Sequence, residues 1–259
     1  MPASTVSQHT GGLMKSLSRF FIAAAALALV WSCQQGNSIV SGDGPDEFRG
    51  QNLRAPQIDA DLSPVYEITF ENMTPATGPG ASQPMSPPVM ATHNLHTHMF
   101  RAGQIASTEI AQIAEDAVSD PLVASLESNP LVYDVQRGDG VVFPGASTTI
   151  RIKARPGFFK LSIASMLVNT NDAFAGVDGV LMPLRGSKTI YLQAWDAGSE
   201  KNTESVDHIP GPCCGSPHVR VPTEEPIRVH PGILGVGDLD PALYGWQGAV
   251  AKVTITRVL

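Results

Sequence analysis

An all-β fold, a single antiparallel sandwich with one or two short helices, is what this sequence predicts for residues 63–259. Short runs rich in β-branched residues recur along the chain and alternate apolar and polar positions with period two. Stretches dense in Pro, Gly and Ser separate them, and only one segment has strong helical periodicity.

Tyr66–Phe70, Thr148–Ile152 and Ala251–Val258 alternate cleanly, so each is expected to bury one face of a sheet. Val89–His93, Leu161–Leu167, Val177–Leu181, Thr189–Gln193 and Ile227–Val229 complete the strand set. Ser107 is a good helix cap, Glu109 suits a first turn, and Ile110, Ile113, Ala114 and Ala117 are spaced for one buried face. A shorter helix is expected after Pro121, which suits a first helical position. Pro75–Pro88 reads as a long loop, and the Pro-rich Pro210–Pro226 as a strap around the loop end of the sandwich.

Ahead of this unit, Lys15 and Arg19 precede an apolar run of 12 residues, Phe20–Trp31. That is short for a bilayer span, which needs about 20 residues, and fits the centre of a secretory signal. Residues 1–32 are therefore expected to be a lipoprotein-type signal peptide, with Met14 a more typical start. Cys33 after the small Ser32 is the expected lipidation site, and two acyl chains suffice for stable attachment to a membrane face. The alternative is an ordinary cleaved signal with an incidental cysteine. Residues 33–62, rich in Gln, Gly, Asn, Ser and Asp, lack the apolar surface to offset ordering and read as a flexible tether.

Loss of residues 1–32 removes Lys15 and Arg19 and no acid, so the formal net charge goes from -7 to -9. An acidic surface argues against nucleic acid, whose phosphates demand a basic footprint. It also argues against direct attraction to anionic headgroups, so membrane contact is expected through the anchor alone.

The chemistry concentrates in two polar loops, Val168–Phe174 and Ala194–Glu204, each following an apolar β-rich run. A sheet can deliver both to one end. Asp172, Asp196 and Glu200 supply carboxylates, Asn171 a neutral carbonyl, and Gly198 a tight backbone turn. Hard oxygen donors of this kind suit Ca²⁺, which takes six to eight of them at roughly 2.3 to 2.6 Å; zinc or iron would want His or Cys. On composition alone, Asp, Asn, Gly and Ser in such loops are the ordinary residues of solvated turns.

Those same residues resemble the spondin N-terminal domain in its bacterial form. The resemblance is carried by Met166–Gly179, the Trp195–Glu200 turn and Ile209–Gly215, with further agreement at Thr92–Asn94, Leu122–Leu126 and Gly232–Pro241. It covers roughly Ser63 to Val258. It implies a synaptotagmin-type β-sandwich holding calcium in loops at one end, with calcium contacts from Asp172, Asp196 and Glu200. Animal members typically carry a second Asp where this chain has Glu200. The resemblance places a metal site ahead of solvated turns.

Three other constellations have plainer readings. His93, His96 and His98 have spacings that can serve zinc or copper, but strand alternation puts His93 opposite the other two, which favours hydrogen bonding at a strand end. Adjacent Cys213 and Cys214 leave three readings open: a vicinal disulfide, two thiols packed among prolines, or zinc capture with His208 and His218. Tyr244, Trp246 and the acids Asp238 and Asp240 suit a carbohydrate or second ion contact, but more often lock a crossing loop.

No Gly-x-Ser-x-Gly, His-Glu-x-x-His or Gly-x-x-x-x-Gly-Lys motif occurs. The expected function is that of a cell-envelope lipoprotein, at the outer membrane or cell surface, acting as a calcium-dependent binding or adhesion module. The sequence does not select its extracellular or envelope ligand among a polysaccharide, a matrix protein and a lipid surface. The alternatives are a periplasmic or surface hydrolase acting on polysaccharide through paired carboxylates such as Asp196 and Glu200, or a purely structural envelope protein.

Overall fold

The structure is a computed structural model and describes residues 63–77 and 82–258. The expected signal peptide, Cys33 and tether lie outside the described residues.

Among the described residues, nine strands and three helices follow in chain order: β1 (Val65–Asn72), β2 (Val89–His93), α1 (Thr108–Asp116), α2 (Asp120–Ser128), β3 (Val132–Arg137), β4 (Ser147–Lys153), β5 (Lys160–Met166), β6 (Ala173–Leu181), β7 (Ser187–Asp196), β8 (Arg228–Val229), α3 (Pro241–Tyr244) and β9 (Ala251–Arg257). Every ladder is antiparallel, and hydrogen bonding runs in the order β3-β2-β5-β6-β7-β9-β1-β4, with β8 added to β7. β7 serves both layers: Ser187–Leu192 pairs with β9, while Gln193–Asp196 pairs with β6. The two ends of the path also approach each other, since the Asp134 carboxylate of β3 accepts from the Lys153 N–H of β4 at 2.6 Å. The sandwich is thus nearly closed, which protects its edges.

Burial explains which strands alternate. In β1 and β9 every second residue is buried, among them Tyr66, Ile68, Phe70, Val253 and Ile255, because their other face meets solvent. β2 is buried throughout and β5 nearly so, because the sandwich core lies on one face and the helices cover the other. Ile110, Ile113 and Ala114 of α1 and Leu122 and Leu126 of α2 pack there with Val89, Ala91, Ala164 and Phe174. Full burial of each such Ile or Leu contributes about 1.5 to 3 kcal/mol.

The Ser107 hydroxyl accepts from Ile110 N–H, as its cap position requires, and Pro121 opens α2. Ala117, expected on the buried face of α1, instead ends the helix in the left-handed conformation (φ 58°) with its N–H turned back to the Gln112 and Ile113 carbonyls. β6 begins at Ala173 and β7 extends to Asp196, so both polar loops are shorter than the sequence suggested. Within the described part of the Pro75–Pro88 loop, Pro75, Ala76 and Thr77 are exposed, whereas Ser82, Gln83, Met85 and Ser86 are buried, and Met85 bridges Val142 and Leu167.

Candidate metal centre

The β5–β6 turn is built from side chains that replace solvent. Thr170 Oγ1 donates to the Leu167 carbonyl at 2.6 Å and accepts from Ala173 N–H at 3.1 Å, closing the turn on itself. Gln83 reaches in from the buried loop, donating to the Asn169 carbonyl at 3.3 Å and accepting from Asn169 N–H at 3.2 Å. The turn is therefore fixed before any ligand is considered.

The second turn forms where β7 ends. Asp196 Oδ1 accepts from Gly198 N–H at 2.8 Å, and Gly198 adopts φ 70°, a conformation that favours glycine. The Pro-rich strap lies directly over it, with Glu225 N–H donating to the Gly198 carbonyl at 2.8 Å and Thr223 N–H to the Ser199 carbonyl at 2.9 Å. A Cβ on Gly198 would lie 2.2 Å from the Glu225 carbonyl oxygen. On the other side Gly211 passes equally close to the first turn, where a Cβ would sit 2.2 Å from the Val168 carbonyl oxygen.

Pairing of Ala173 with Asp196 across β6 and β7, and the bond from Ala197 N–H to the Asp172 carbonyl at 3.1 Å, bring the two turns together. Asp172, Asp196, Glu200 and Asn171 are all buried, so the solvated-turn reading does not hold. Asp172 Oδ2 accepts from Ser199 N–H at 2.9 Å and Glu200 N–H at 3.0 Å. Asn171 donates to Glu200 Oε1 at 3.0 Å and spends one carbonyl lone pair on Glu204 N–H at 3.1 Å. Asp196 Oδ2 receives Arg228 at 2.9 Å and the Asn202 amide at 2.8 Å.

Asp172 Oδ1 stands apart. Among the described residues it is a buried side-chain oxygen with no hydrogen-bond partner. A carboxylate oxygen in that state costs more than a bond left unmade at the surface. Burial pushes the Asp172 carboxyl up to about 7, and the neighbouring Asp196 charge pushes the same way. Burial raises Glu200 to about 8, against the bond from Asn171 and with the help of the Asp172 charge. Among the described residues, no three His, Cys, Asp or Glu side chains are already drawn around one centre. The donor chemistry and the orphaned oxygen nevertheless fit a hard cation, since the acids are adjacent, buried and mutually repelling.

The profile described as Spondin_N matches residues 65–210, more than half of the chain. The chain belongs to the spondin N-terminal domain family. The spondin domain is an extracellular or secreted binding module by family. No curated protein matches this chain. Among the described residues of this spondin protein, no helix is long and apolar enough to cross a membrane.

Other sequence candidates resolve differently. His93 is buried, its Nε2 at 2.7 Å from Ser162 Oγ and its Nδ1 at 2.7 Å from the Asn94 carbonyl oxygen, while His98 donates from Nδ1 to Asp178 at 2.5 Å and His96 is exposed. The three do not meet. Cys213 and Cys214 form a disulfide with Cα atoms 3.8 Å apart. Zinc capture is therefore overturned, and His208 and His218 face Thr203 and Asp116 instead. Cys213 N–H donates to Asn169 Oδ1 at 3.2 Å, tying the bridged loop to the first turn. Asp240 caps α3 and Asp238 accepts from Ser205 and Val206, so both acids hold loops.

Sequence reasoning missed the groups behind the acids. His230 accepts from Gly232 N–H at Nδ1 (3.0 Å) and faces Asn202 Oδ1 at 3.2 Å, and burial holds it well below its usual range. Glu204 is buried and accepts from Leu234 and Val236 N–H at 2.6 and 2.8 Å, which fixes the segment after His230. Only Glu204, at the end of the second loop, carried any local signal.

Proposed function

We propose that this spondin domain is a calcium-ordered binding module of the cell envelope. The observation that carries it is the buried junction of two acidic turns with Asp172 Oδ1 lacking a donor. Asp172, Asp196 and Glu200 are the anionic donors and Asn171 the neutral one; Arg228 already offsets part of the Asp196 charge. Bound there, Ca²⁺ supplies the positive charge that lets all three acids ionise together. The chain's own part is to hold the two turns and the strap in one geometry. The loops at that end then present a fixed surface to a ligand.

The test is a melting series of the protein in Ca²⁺, Mg²⁺ and EGTA. A midpoint that rises with free Ca²⁺, and less with Mg²⁺, is the expected result. An identical midpoint in Ca²⁺ and EGTA contradicts it.

The envelope location rests on the lipoprotein-type signal and Cys33. A Cys33→Ser variant is expected to move from the membrane fraction to the soluble fraction of fractionated cells, with its folded domain unchanged. Retention in the membrane fraction would refute lipid anchoring at that residue.

A further inference from the structure

Away from the acidic turns, the outer face of β7 and the 98–102 segment frame an open groove of about 650 Å³. That is within the usual range for small-ligand sites. Tyr191, Gln193 and Trp195 line it at alternate positions of β7, so they project on one side at intervals of about 6.6 Å. Tyr191 is 61% exposed, although exposed aromatic rings lose apolar contact with nothing in return. Trp195 is held in place, its Nε1–H donating to the Gly176 carbonyl at 3.0 Å, and its ring packs edge-on against Phe100 at 5.7 Å. Gly176 makes this floor possible, because a Cβ there would come within 3.0 Å of both Phe100 and Phe174.

The polar groups of the groove are unequal. Asp178 is consumed: its two oxygens accept from His98 Nδ1–H at 2.5 Å, Met99 N–H at 2.7 Å and Ser162 Oγ–H at 2.8 Å. Its role is to pin the 98–99 segment onto β6. Arg101, by contrast, is exposed, and no ion pair involves it among the described residues. What the groove offers is therefore two aromatic surfaces, an amide between them, and an unpaired guanidinium at the rim.

We infer that this groove binds a short stretch of uronate-bearing polysaccharide, with Arg101 supplying at the groove the local positive charge that the acidic surface as a whole lacks. Pyranose rings have an apolar face that lies on Tyr and Trp, and hydroxyls that an amide such as Gln193 can both donate to and accept from. A guanidinium pairs with a sugar carboxylate through two parallel N–H bonds, which a neutral sugar cannot satisfy. Tyr191 and Trp195 are the stacking residues, and Arg101 selects the uronate. None of the acids of the two turns lines the groove, so the inference stands apart from the cation reading.

Calorimetric titration of the protein with trigalacturonate and trimannuronate, and with cellotriose as the neutral probe, tests it. All titrations are run in EGTA, so that neither calcium bridging by the sugar nor a failure of the cation reading affects the outcome. Saturable binding of at least one uronate, tighter than cellotriose, is expected. Tyr191→Ala is expected to weaken it at least about tenfold, and Arg101→Gln to remove the preference over cellotriose, both with unchanged melting midpoints. Failure of both uronates to bind, equal affinity for cellotriose, or full affinity in Tyr191→Ala overturns the inference.

Discussion

Asp196→Ala is expected to erase the response of the melting midpoint to calcium. In the unaltered protein, free Ca²⁺ at about 100 times its Kd adds about 2.7 kcal/mol, which for a domain of this size raises the midpoint by about 5 to 10 °C. Asp196 sits at the junction of both turns, accepting from Gly198 N–H and Asn202 and pairing with Arg228. Its removal takes away one anionic donor and leaves the buried Gly198 N–H unpaired, at a cost of about 1 to 3 kcal/mol, while the half-buried Asn202 amide and the exposed Arg228 guanidinium can turn to water. In EGTA that loss is partly offset, because Asp172 no longer faces a second anion. The variant should therefore melt modestly lower in EGTA and show no further change on adding Ca²⁺. An undiminished calcium shift would remove Asp196 from the site.

Gly198→Ala is the second large effect, and it acts through geometry alone. The residue needs φ 70°, and its added methyl would lie 2.2 Å from the Glu225 carbonyl oxygen and 2.7 Å from its carbon, neither of which can swing away like a side chain. Left-handed backbone costs an alanine about 1 to 2 kcal/mol before any clash. Displacing the strap also breaks the bonds from Glu225 and Thr223 that cover the turn. A loss of more than about 3 kcal/mol is expected, read by chemical denaturation, together with loss of the calcium response. By comparison, Gly140, where a Cβ meets nothing within 4 Å, should accept alanine with little change.

The acids also predict a pH dependence with a definite sign. Asp172 and Glu200 have folded values of about 7 and about 8, above ordinary values of 3.8 and 4.5. Between those limits the folded chain binds more protons than the unfolded one, so this contribution to stability falls as pH rises. Asp172→Asn cannot ionise. In EGTA, the stability difference between Asp172→Asn and the unaltered protein is expected to shift in the variant's favour from pH 5.5 to pH 8. A difference that stays flat over that range would show that Asp172 is ionised throughout.

The parts of the fold that the sequence disclosed are those where one physical pattern dominated. β1, β4 and β9 bury one face each and so alternate; β2 and β5 are covered on both sides and read as apolar runs. β3 escaped because Val132–Gln136 is half-buried at every position, which gives no contrast to read. α3 escaped because four residues cannot show a helical period. For the site, Asp172, Asp196 and Glu200 were visible as acids in glycine-bearing turns, and the spondin resemblance singled them out. Their burial was not visible, since Asn, Asp, Thr and Ser are equally the residues of wet turns. It arises from Gln83, Gly211 and the 221–226 strap, which reach the site from distant parts of the chain with no local pattern to announce them.

Calcium binding measured directly by titration calorimetry on the EGTA-treated protein at pH 7.5 bears most closely on the claim that two turns share one ion. One saturable Ca²⁺ site per chain, absent in both Asp172→Asn and Asp196→Ala, is the predicted result. No saturable binding, or binding that survives unchanged in both variants, would contradict it.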